Sequence, residues 1–189
     1  MGFIKSPAFL LCIGLLIGVV LAEAVYYVSA PLVLSDGSVV PITDRDYYPK
    51  AFSLISGAKD SIHIVMFSAN YQTSPEYADS HVNKLVQELV AARNRGVDVQ
   101  VIMDAWPEGN TKTANYLTKN NVPVTLINMT GSTHAKLIIV DGKITIVGST
   151  NWSYYAIDKN HEANVVISDE GVSRSFESYF SSLFPSQAS

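Results

Sequence analysis

Apolar residues in the central part of the chain form patterns that predict alternating strands and helices. Ser61 to Ser68 is a continuous apolar, β-branched run, which is typical of a strand covered on both faces. From Val82 to Val90, apolar residues recur at helical spacing, so one face of a helix is predicted there. Either Ser80 or the Ser74-Pro75 pair can begin this helix.

The same alternation extends on both sides of this segment. Asp46 to Ser56 predicts a short helix ahead of the first strand. Gly96 can end the long helix, and Val97 to Met103 then predicts a second strand. A helix from about Asn110 to Lys119 and a strand from Val122 to Asn128 follow. This order predicts an α/β fold with a mixed, mostly parallel β-sheet flanked by helices on both faces.

The ends of the predicted strands are the places to look for a site. Ligands bind beyond the carboxyl ends of the strands in sheets of this kind, which directs attention to residues 68–70 and 104–106. Trp106 and Trp152 also follow strand ends and could stack on a base or an acyl group. Packing in the core or at the rim is the commoner outcome for such residues.

The N-terminal segment has the pattern of an export signal or a membrane anchor. Lys5 is the sole charge ahead of an unbroken apolar run from Ala8 to Ala22. Ala22 to Ala24 fits a cleavage site, so removal after Ala24 is one alternative. Apolar character resumes from Val25 to Val28 and gives about 20 residues, enough for an uncleaved hydrophobic anchor helix, which we favour.

Charges on the two sides of this segment predict its orientation. Lys5 is expected on the inner side, and the acidic flank with Asp36, Asp44 and Asp46 on the outer side. The globular part is then expected to be extracytoplasmic, either membrane-anchored or, if cleaved, secreted or periplasmic. The expected parts are a signal anchor or signal peptide in residues 1–30, a linker in 31–45 and one catalytic domain in 46–185.

Composition narrows the choice of function. The chain has 189 residues, room for one ordinary domain behind a leader, and 13 basic against 17 acidic residues. Proteins that hold long duplexes mainly by charge are strongly basic over one face, so any nucleic-acid contact here must be local. Cys12, the only cysteine, excludes a disulfide framework and a cysteine-based zinc site.

A β-hairpin is predicted where the strongest chemical signal lies. His134 to Val140 and Lys143 to Gly148 are strand-like, and Asp141-Gly142 between them has the sequence of a two-residue turn. Such a turn predicts Lys136 opposite Val147 and His134 opposite Ser149, with Asn151 just beyond on the same face.

This register predicts that polar side chains converge on one small volume. Lys136 and Asn151 would supply a charge and donors for a phosphate, and His134 would supply a nitrogen nucleophile. A lone His-x-Lys is more often an ordinary buried hairpin, but gathering polar groups in a Val/Ile-rich hairpin is costly without a use. Asp141 has the opposite parity, lies in the turn and is interpreted as structural.

These residues resemble the signature of a known family. The pattern is His134-x-Lys136, four residues, Asp141, six residues, and Gly148-Ser149-x-Asn151. It resembles the motif of the phospholipase D superfamily, and it looks closest to the single-motif bacterial nucleases and mitochondrial-type members. The resemblance extends from about Asp46 to Phe184.

The resemblance implies a mechanism and a role for each residue. In such proteins the motif histidine attacks phosphorus and forms a phosphohistidine, with no metal or cofactor. It implies that His134 is the nucleophile, that Lys136 and Asn151 bind the phosphate oxygens, and that Ser149 supports them. Glu162 matches the downstream glutamate that orients the histidine.

The chain offers one copy of the motif, although the chemistry needs one group to attack and another to protonate the leaving oxygen. His63, His81 and His161 are not followed by a lysine at the motif spacing. We therefore expect a symmetric homodimer in which each subunit gives one His134.

Three functions remain open from the sequence. A membrane-anchored nuclease is preferred, because the chain has one motif and no large lipid-binding insertion. A phospholipase D or cardiolipin-type lipid hydrolase is the second hypothesis, since an anchor would hold the site close to headgroups. A membrane-tethered protein that binds phosphate without turnover is the third.

Overall fold

The computed structural model describes residues 7–29, 34–128 and 131–184, and describes side chains of the first helix from 10 to 22. Lys5, the start of the predicted linker and residue 185 lie outside the described residues. The helices are α1 (Pro7–Ser29), α2 (Tyr47–Gly57), α3 (His81–Asn94), α4 (Glu108–Lys119), α5 (Tyr154–Asp158) and α6 (Glu170–Ser182). The strands are β1 (Val39–Thr43), β2 (Ser61–Met66), β3 (Asp98–Asp104), β4 (Val124–Ile127), β5 (Lys136–Val140), β6 (Ile144–Gly148) and β7 (Ala163–Ser168).

The N-terminal helix α1 belongs to one unit, and the elements from β1 to α6 belong to a second. An N-terminal helix was expected and is present. Its side chains from Leu10 to Leu21 include large apolar groups that are exposed. Within the described part of the chain, no helix has both the length and the apolar character needed to cross a membrane.

The second unit is built on a single mixed sheet. Its strand order is β1-β7-β6-β5-β2-β3-β4, with β2, β3 and β4 parallel and the other neighbours antiparallel. The predicted mixed α/β sheet with helices on both faces is confirmed. Its parallel part is smaller than expected, because the hairpin and the two strands beyond it all pair antiparallel.

Alternation along the strands sorts the core onto two faces of the sheet. Ile62, Ile64 and Ile138 face a cluster that includes residues of α2, α3, α4 and α5. Val65 and Leu137, at the intervening positions, face the smaller cluster under α6. Strands buried on both faces explain the continuous apolar runs in the sequence.

Local signals set the ends of the long helix. Ser80 is the N-cap of α3, since its hydroxyl accepts a hydrogen bond from the Asn83 N–H at 3.2 Å. The alternative start, at Ser74, instead precedes a 3₁₀ turn, Pro75–Tyr77. Gly96 follows the helix with a φ of +95°, a conformation that favours glycine.

The hairpin register differs from the prediction by one residue. The structure pairs Val140 with Ile144 and Leu137 with Val147, so Lys136 is not opposite Val147. Asp141 and Gly142 have the positive φ values expected of a tight turn, 54° and 60°. Lys143 donates its N–H to Val140 O at 3.0 Å and completes the turn instead of entering β6, which shifts the partner strand.

Candidate active site

The polar residues of the motif gather at one edge of the sheet, where β2 and β6 end and β5 and β7 begin. Lys136 pairs with Met66 at the end of β2, and Gly148 pairs with Asn164 at the start of β7. The segment after β6 is bonded to the segment after β2: Trp152 donates its N–H to Ser68 O at 2.9 Å. Antiparallel neighbours therefore bring distant parts of the sequence to one place.

His134 and Lys136 are brought together, as the sequence predicted. The Lys136 Nζ lies 3.0 Å from Nδ1 of His134 and donates to the His134 carbonyl oxygen at 2.8 Å. The imidazole is exposed and packs at a tilt against the Phe67 ring, with 4.3 Å between centroids. An accessible ring nitrogen thus lies beside a fixed amine.

Lys136 is buried, with 7% of its surface exposed. Burial lowers the pKa of its ammonium, and the negative charge of Glu162 opposes that change. The Lys136 Nζ also lies 4.9 Å from the centroid of the Phe67 ring. The lysine therefore lies beside the imidazole and within electrostatic influence of a carboxylate.

The Glu162 carboxylate binds the motif serine. One of its oxygens accepts the Ser149 hydroxyl, and the other accepts Asn160 Nδ2 at 3.1 Å. Ser149 Oγ accepts the Ala163 N–H at 3.1 Å, so the hydroxyl joins β7 to the end of β6. Within the described residues, the Glu162 carboxylate hydrogen-bonds to Ser149 and Asn160, not to His134. Orientation of His134 by Glu162 stays a prediction.

Asn151 lies in the same segment, and its Oδ1 atom is buried without a hydrogen-bond partner among the described residues. Asn164 holds Thr150, the residue before Asn151. The Asn164 Oδ1 accepts the Thr150 N–H at 3.2 Å, and the Asn164 Nδ2 donates to Thr150 Oγ1 at 2.8 Å. A Cβ at Gly148 would lie 2.5 Å from the Ala163 carbonyl oxygen. The lack of a side chain at Gly148 therefore lets the start of β7 approach the end of β6 this closely.

Asp141 lies at the far end of β5 from Lys136, as its place in the turn predicted. Its carboxylate accepts the N–H groups of Lys59, Asp60 and Ser61 at distances from 2.7 to 3.1 Å. Burial acts to raise the pKa of Asp141, but these hydrogen bonds outweigh it and the pKa is lowered. The residue fixes the hairpin to the start of β2.

Asp104 lies in the segment 104–106 to which the sequence directed attention, but no role in the site was predicted for it. It is 4% exposed at the end of β3, and its Oδ2 accepts the Thr133 N–H at 2.6 Å and the Ser132 hydroxyl at 3.1 Å. Burial acts to raise its pKa, but hydrogen bonds from Trp106, Thr133 and Ser132 outweigh it and lower the pKa. Asp104 holds the loop that carries His134. A carboxylate after a buried strand was the available signal.

Asp44 performs a similar role for Glu162. Its Oδ1 accepts the Glu162 N–H at 2.8 Å, and its own N–H donates to Glu162 O at 2.9 Å. The Glu162 hydrogen bond is the main cause of its lowered pKa, and His161 adds to it. Asp44 has a φ of +48°, which is uncommon for a residue other than glycine. This aspartate had been expected only as a charge flanking the leader.

The other histidines lie outside this group. His63 Nδ1 is 2.6 Å from Glu177 Oε2 on α6, and His81 Nδ1 is 2.6 Å from Asp158 Oδ1. His161 Nδ1 lies 3.1 Å from Asp44 Oδ2, and the His161 side chain is 97% exposed.

The two tryptophans have different surroundings. Trp152 is 2% exposed and donates from Nε1 to the Tyr47 hydroxyl at 2.9 Å, so it is a core residue. Trp106 is 87% exposed and lines a pocket beside the His134 loop.

The donor set suits an oxyanion. An exposed imidazole, a buried amine and the Asn151 amide converge on one edge, so a phosphate there could meet a nucleophile and two groups that bind its oxygens. In the described ranges, no group of three or more His, Cys, Asp or Glu side chains is placed to hold a metal ion.

Comparisons with known proteins match the part of the chain that contains these site residues. The family model described as "Cardiolipin synthase, PLD-like domain" matches residues 52–184. The mitochondrial cardiolipin hydrolase of Canis lupus familiaris is 29% identical, and the match covers 61% of this chain and 55% of that protein. This chain therefore spans about half the length of such curated relatives.

Solved structures with the same fold include two bacterial proteins. Nuc from Salmonella typhimurium, described as a phospholipase D family member, has a TM-score of 0.66 and 25% identity, over 77% of this chain and 94% of that one. NucT from Helicobacter pylori has a TM-score of 0.63 and 25% identity, over 77% of this chain and 95% of that one.

Proposed function

This chain belongs to the phospholipase D superfamily, and from that premise we propose that it hydrolyses phosphodiester bonds through a phosphohistidine on His134. The observation that carries the proposal is the contact between the exposed imidazole and the buried Lys136 amine, 3.0 Å apart, at the sheet edge. The cardiolipin hydrolase name of a relative also supports a hydrolase acting on a phosphodiester.

The reaction has two displacements at phosphorus. A neutral ring nitrogen of His134 attacks, the phosphorus–oxygen bond to the leaving group breaks, and that oxygen takes a proton from a general acid. Water then attacks the phosphorus atom, the phosphorus–nitrogen bond to His134 breaks, and the water proton passes to the group that acted as general acid in the first step. Lys136 and the Asn151 amide bind the non-bridging oxygens, whose charge increases in the transition state.

The general acid is the His134 of a second copy of this chain. Among the described residues of one copy, the motif contributes a single histidine to this edge. A two-fold axis beside the edge would bring two identical imidazoles to opposite sides of one phosphorus. Sedimentation velocity on the purified protein tests this step: a strictly monomeric active enzyme contradicts it.

We favour single-stranded nucleic acid as substrate. The single-motif domain with no large lipid-binding insertion supports this choice, and so does the exposed Trp106 ring. A cardiolipin-type lipid hydrolase is the second candidate, favoured by the name of the mitochondrial relative.

The N-terminal segment is the proposed membrane tether, with the domain extracytoplasmic. The apolar run of the sequence and the single charge before it support this role. Carbonate extraction of membranes and protease protection of the domain test it, and mass spectrometry of the mature N-terminus tests cleavage after Ala24.

Activity is tested on the purified protein in excess EDTA, with single-stranded DNA, RNA and cardiolipin vesicles offered separately. Nucleic-acid cleavage that persists in EDTA, and falls at least about 100-fold in His134→Ala, is expected. Mass spectrometry of the acid-quenched reaction should find the phosphoryl adduct on His134. Cleavage of lipid alone would make the lipid hydrolase the preferred function. Activity that survives His134→Ala would show that His134 is not the nucleophile.

A further inference from the structure

A pocket of about 260 Å³ opens beside the loop that carries His134. Residues from the ends of β3 and β4 and from this loop line it: Asp104, Trp106, Ile127, Asn128, Gly131 and Ser132. The Asp104 carboxylate accepts the Ser132 hydroxyl at 3.1 Å and the N–H of Thr133, the residue before His134, at 2.6 Å. The pocket therefore adjoins the segment that leads directly into His134.

Trp106 has a fixed backbone and a free ring. Its N–H donates to Asp104 Oδ1 at 2.8 Å, and Pro107 and the start of α4 follow it directly. The residue is nevertheless 87% exposed, whereas Trp152 is 2% exposed. A large aromatic ring held at the rim of a pocket and left in water is suited to stacking on a planar ligand.

We propose that this pocket binds one nucleobase of a single-stranded nucleic acid, stacked on the Trp106 indole, while the adjoining phosphodiester lies against His134. This inference rests on the proposed function and adds a base-binding subsite to the same site. Bases of a duplex are stacked and paired, so their faces are available in single strands or after flipping.

The size and lining of the pocket favour a base over a lipid. Its volume lies below the roughly 300–1,000 Å³ typical of sites for drug-sized ligands, which suits one flat ring system better than a pair of acyl chains. Ile127 provides an apolar wall, and the Asn128 amide can donate to and accept from a base edge. The formal charge of −4 also argues against holding a duplex mainly through its phosphates.

The test is a double-mutant cycle on binding, with full-length protein carrying His134→Asn so that the ligand is not cleaved. One ligand is a short thymidine oligonucleotide, and the other has the same backbone with abasic residues throughout. Trp106→Ala should weaken binding of the intact strand about 5- to 150-fold, the equivalent of about 1–3 kcal/mol of stacking. The abasic strand should bind equally to both proteins, because it has no base to stack.

Two further variants separate stacking from a general effect on the fold. Trp106→Phe should retain most of the affinity for the intact strand, because it keeps an aromatic face. Tyr179→Ala removes a 41% exposed aromatic ring from α6, outside the pocket lining, and should change neither affinity.

Intrinsic fluorescence gives a second readout. The chain has two tryptophans, and Trp152 is buried, so a bound base should quench the emission of Trp106. The intact strand should quench it, and the abasic strand should not.

Equal binding of the two strands, with no loss in Trp106→Ala, would overturn the pocket assignment. Quenching by phosphatidylglycerol vesicles but not by the oligonucleotide would overturn it in favour of a lipid surface. Turnover of bis(p-nitrophenyl) phosphate by the wild-type protein tests the proposed function separately. Turnover without base-dependent binding would refute the base-binding pocket but not the phosphodiesterase activity. Base-dependent binding with no turnover of any diester would refute the phosphodiesterase activity but not the pocket.

Discussion

Replacing Gly148 with alanine should disrupt the site through a contact that the sequence motif does not reveal. A Cβ at this position would lie 2.5 Å from Ala163 O and 2.6 Å from Asn164 Cα. Both are backbone atoms of β7, which is paired with β6, so neither can move aside by a rotamer change. The strands must separate locally, or Asn164 must leave its place.

The expected loss of stability follows from these contacts. Overpacking of a close-packed region costs about 1–3 kcal/mol. Moving Asn164 also breaks its two hydrogen bonds to Thr150, each with a net value of about 0.5–1.5 kcal/mol. We expect Gly148→Ala to lower the free energy of unfolding by about 3 kcal/mol. Activity should fall as well, because Thr150 lies between Ser149 and Asn151.

Urea unfolding followed by circular dichroism measures this change. Gly57→Ala, at the end of α2, is the matched control, because a Cβ there meets nothing within 4 Å. The control should stay within about 1 kcal/mol of the wild type. A Gly148→Ala protein that is as stable and as active as the wild type would refute the close approach of β6 and β7.

Asp104→Asn replaces one carboxylate oxygen with an NH₂ group, which cannot accept the hydrogen bonds that Ser132 and Thr133 donate. The loop that carries His134 should then be less well positioned, so kcat/KM should fall by up to roughly 100-fold with little change in the circular dichroism spectrum. Glu162→Gln should remain folded but turn over slowly; an unchanged kcat would remove Glu162 from the mechanism. Burial acts to lower the pKa of His63, but Glu177 and Asp98 outweigh it and raise the pKa. A raised pKa means that protonated His63 stabilises the fold below about pH 6.5, and that this stabilisation is lost as pH rises through the pKa of His63 in the folded protein. Glu177→Gln should therefore reduce the free energy of unfolding more at about pH 5.5 than at about pH 8.5.

The central elements could be predicted because their signals are local. The apolar period of α3 and the continuous runs of β2 and β3 are each present within one segment. β1 could not be recognised in the same way: Val39–Thr43 contains Pro41, which argues against a strand except at a sheet edge, and the segment was expected as linker. The structure places it at the edge of the sheet, paired with β7.

In the candidate site, too, contacts between residues close in sequence could be predicted and contacts between distant segments could not. His134 and Lys136 are close in sequence, so their meeting could be predicted from the motif. Asp104 reaches Thr133, and Asp44 reaches Glu162, across distant parts of the chain that no local pattern connects. The register error came from Lys143, whose place in the turn rather than in β6 is not encoded by the Asp-Gly pair alone.

The burial of Lys136 connects the fold to the proposed chemistry. β5 lies between β2 and β6 in the sheet, so its first residue is enclosed from both sides while the preceding loop carries His134 into solvent. Burial disfavours the charged amine, as the lowered pKa of Lys136 reflects. A phosphate bound beside it would add negative charge to that of Glu162, and the attraction increases as negative charge develops in the transition state. A buried lysine beside an exposed imidazole therefore gains most from its position when a phosphodiester is being cleaved, not when the site is empty.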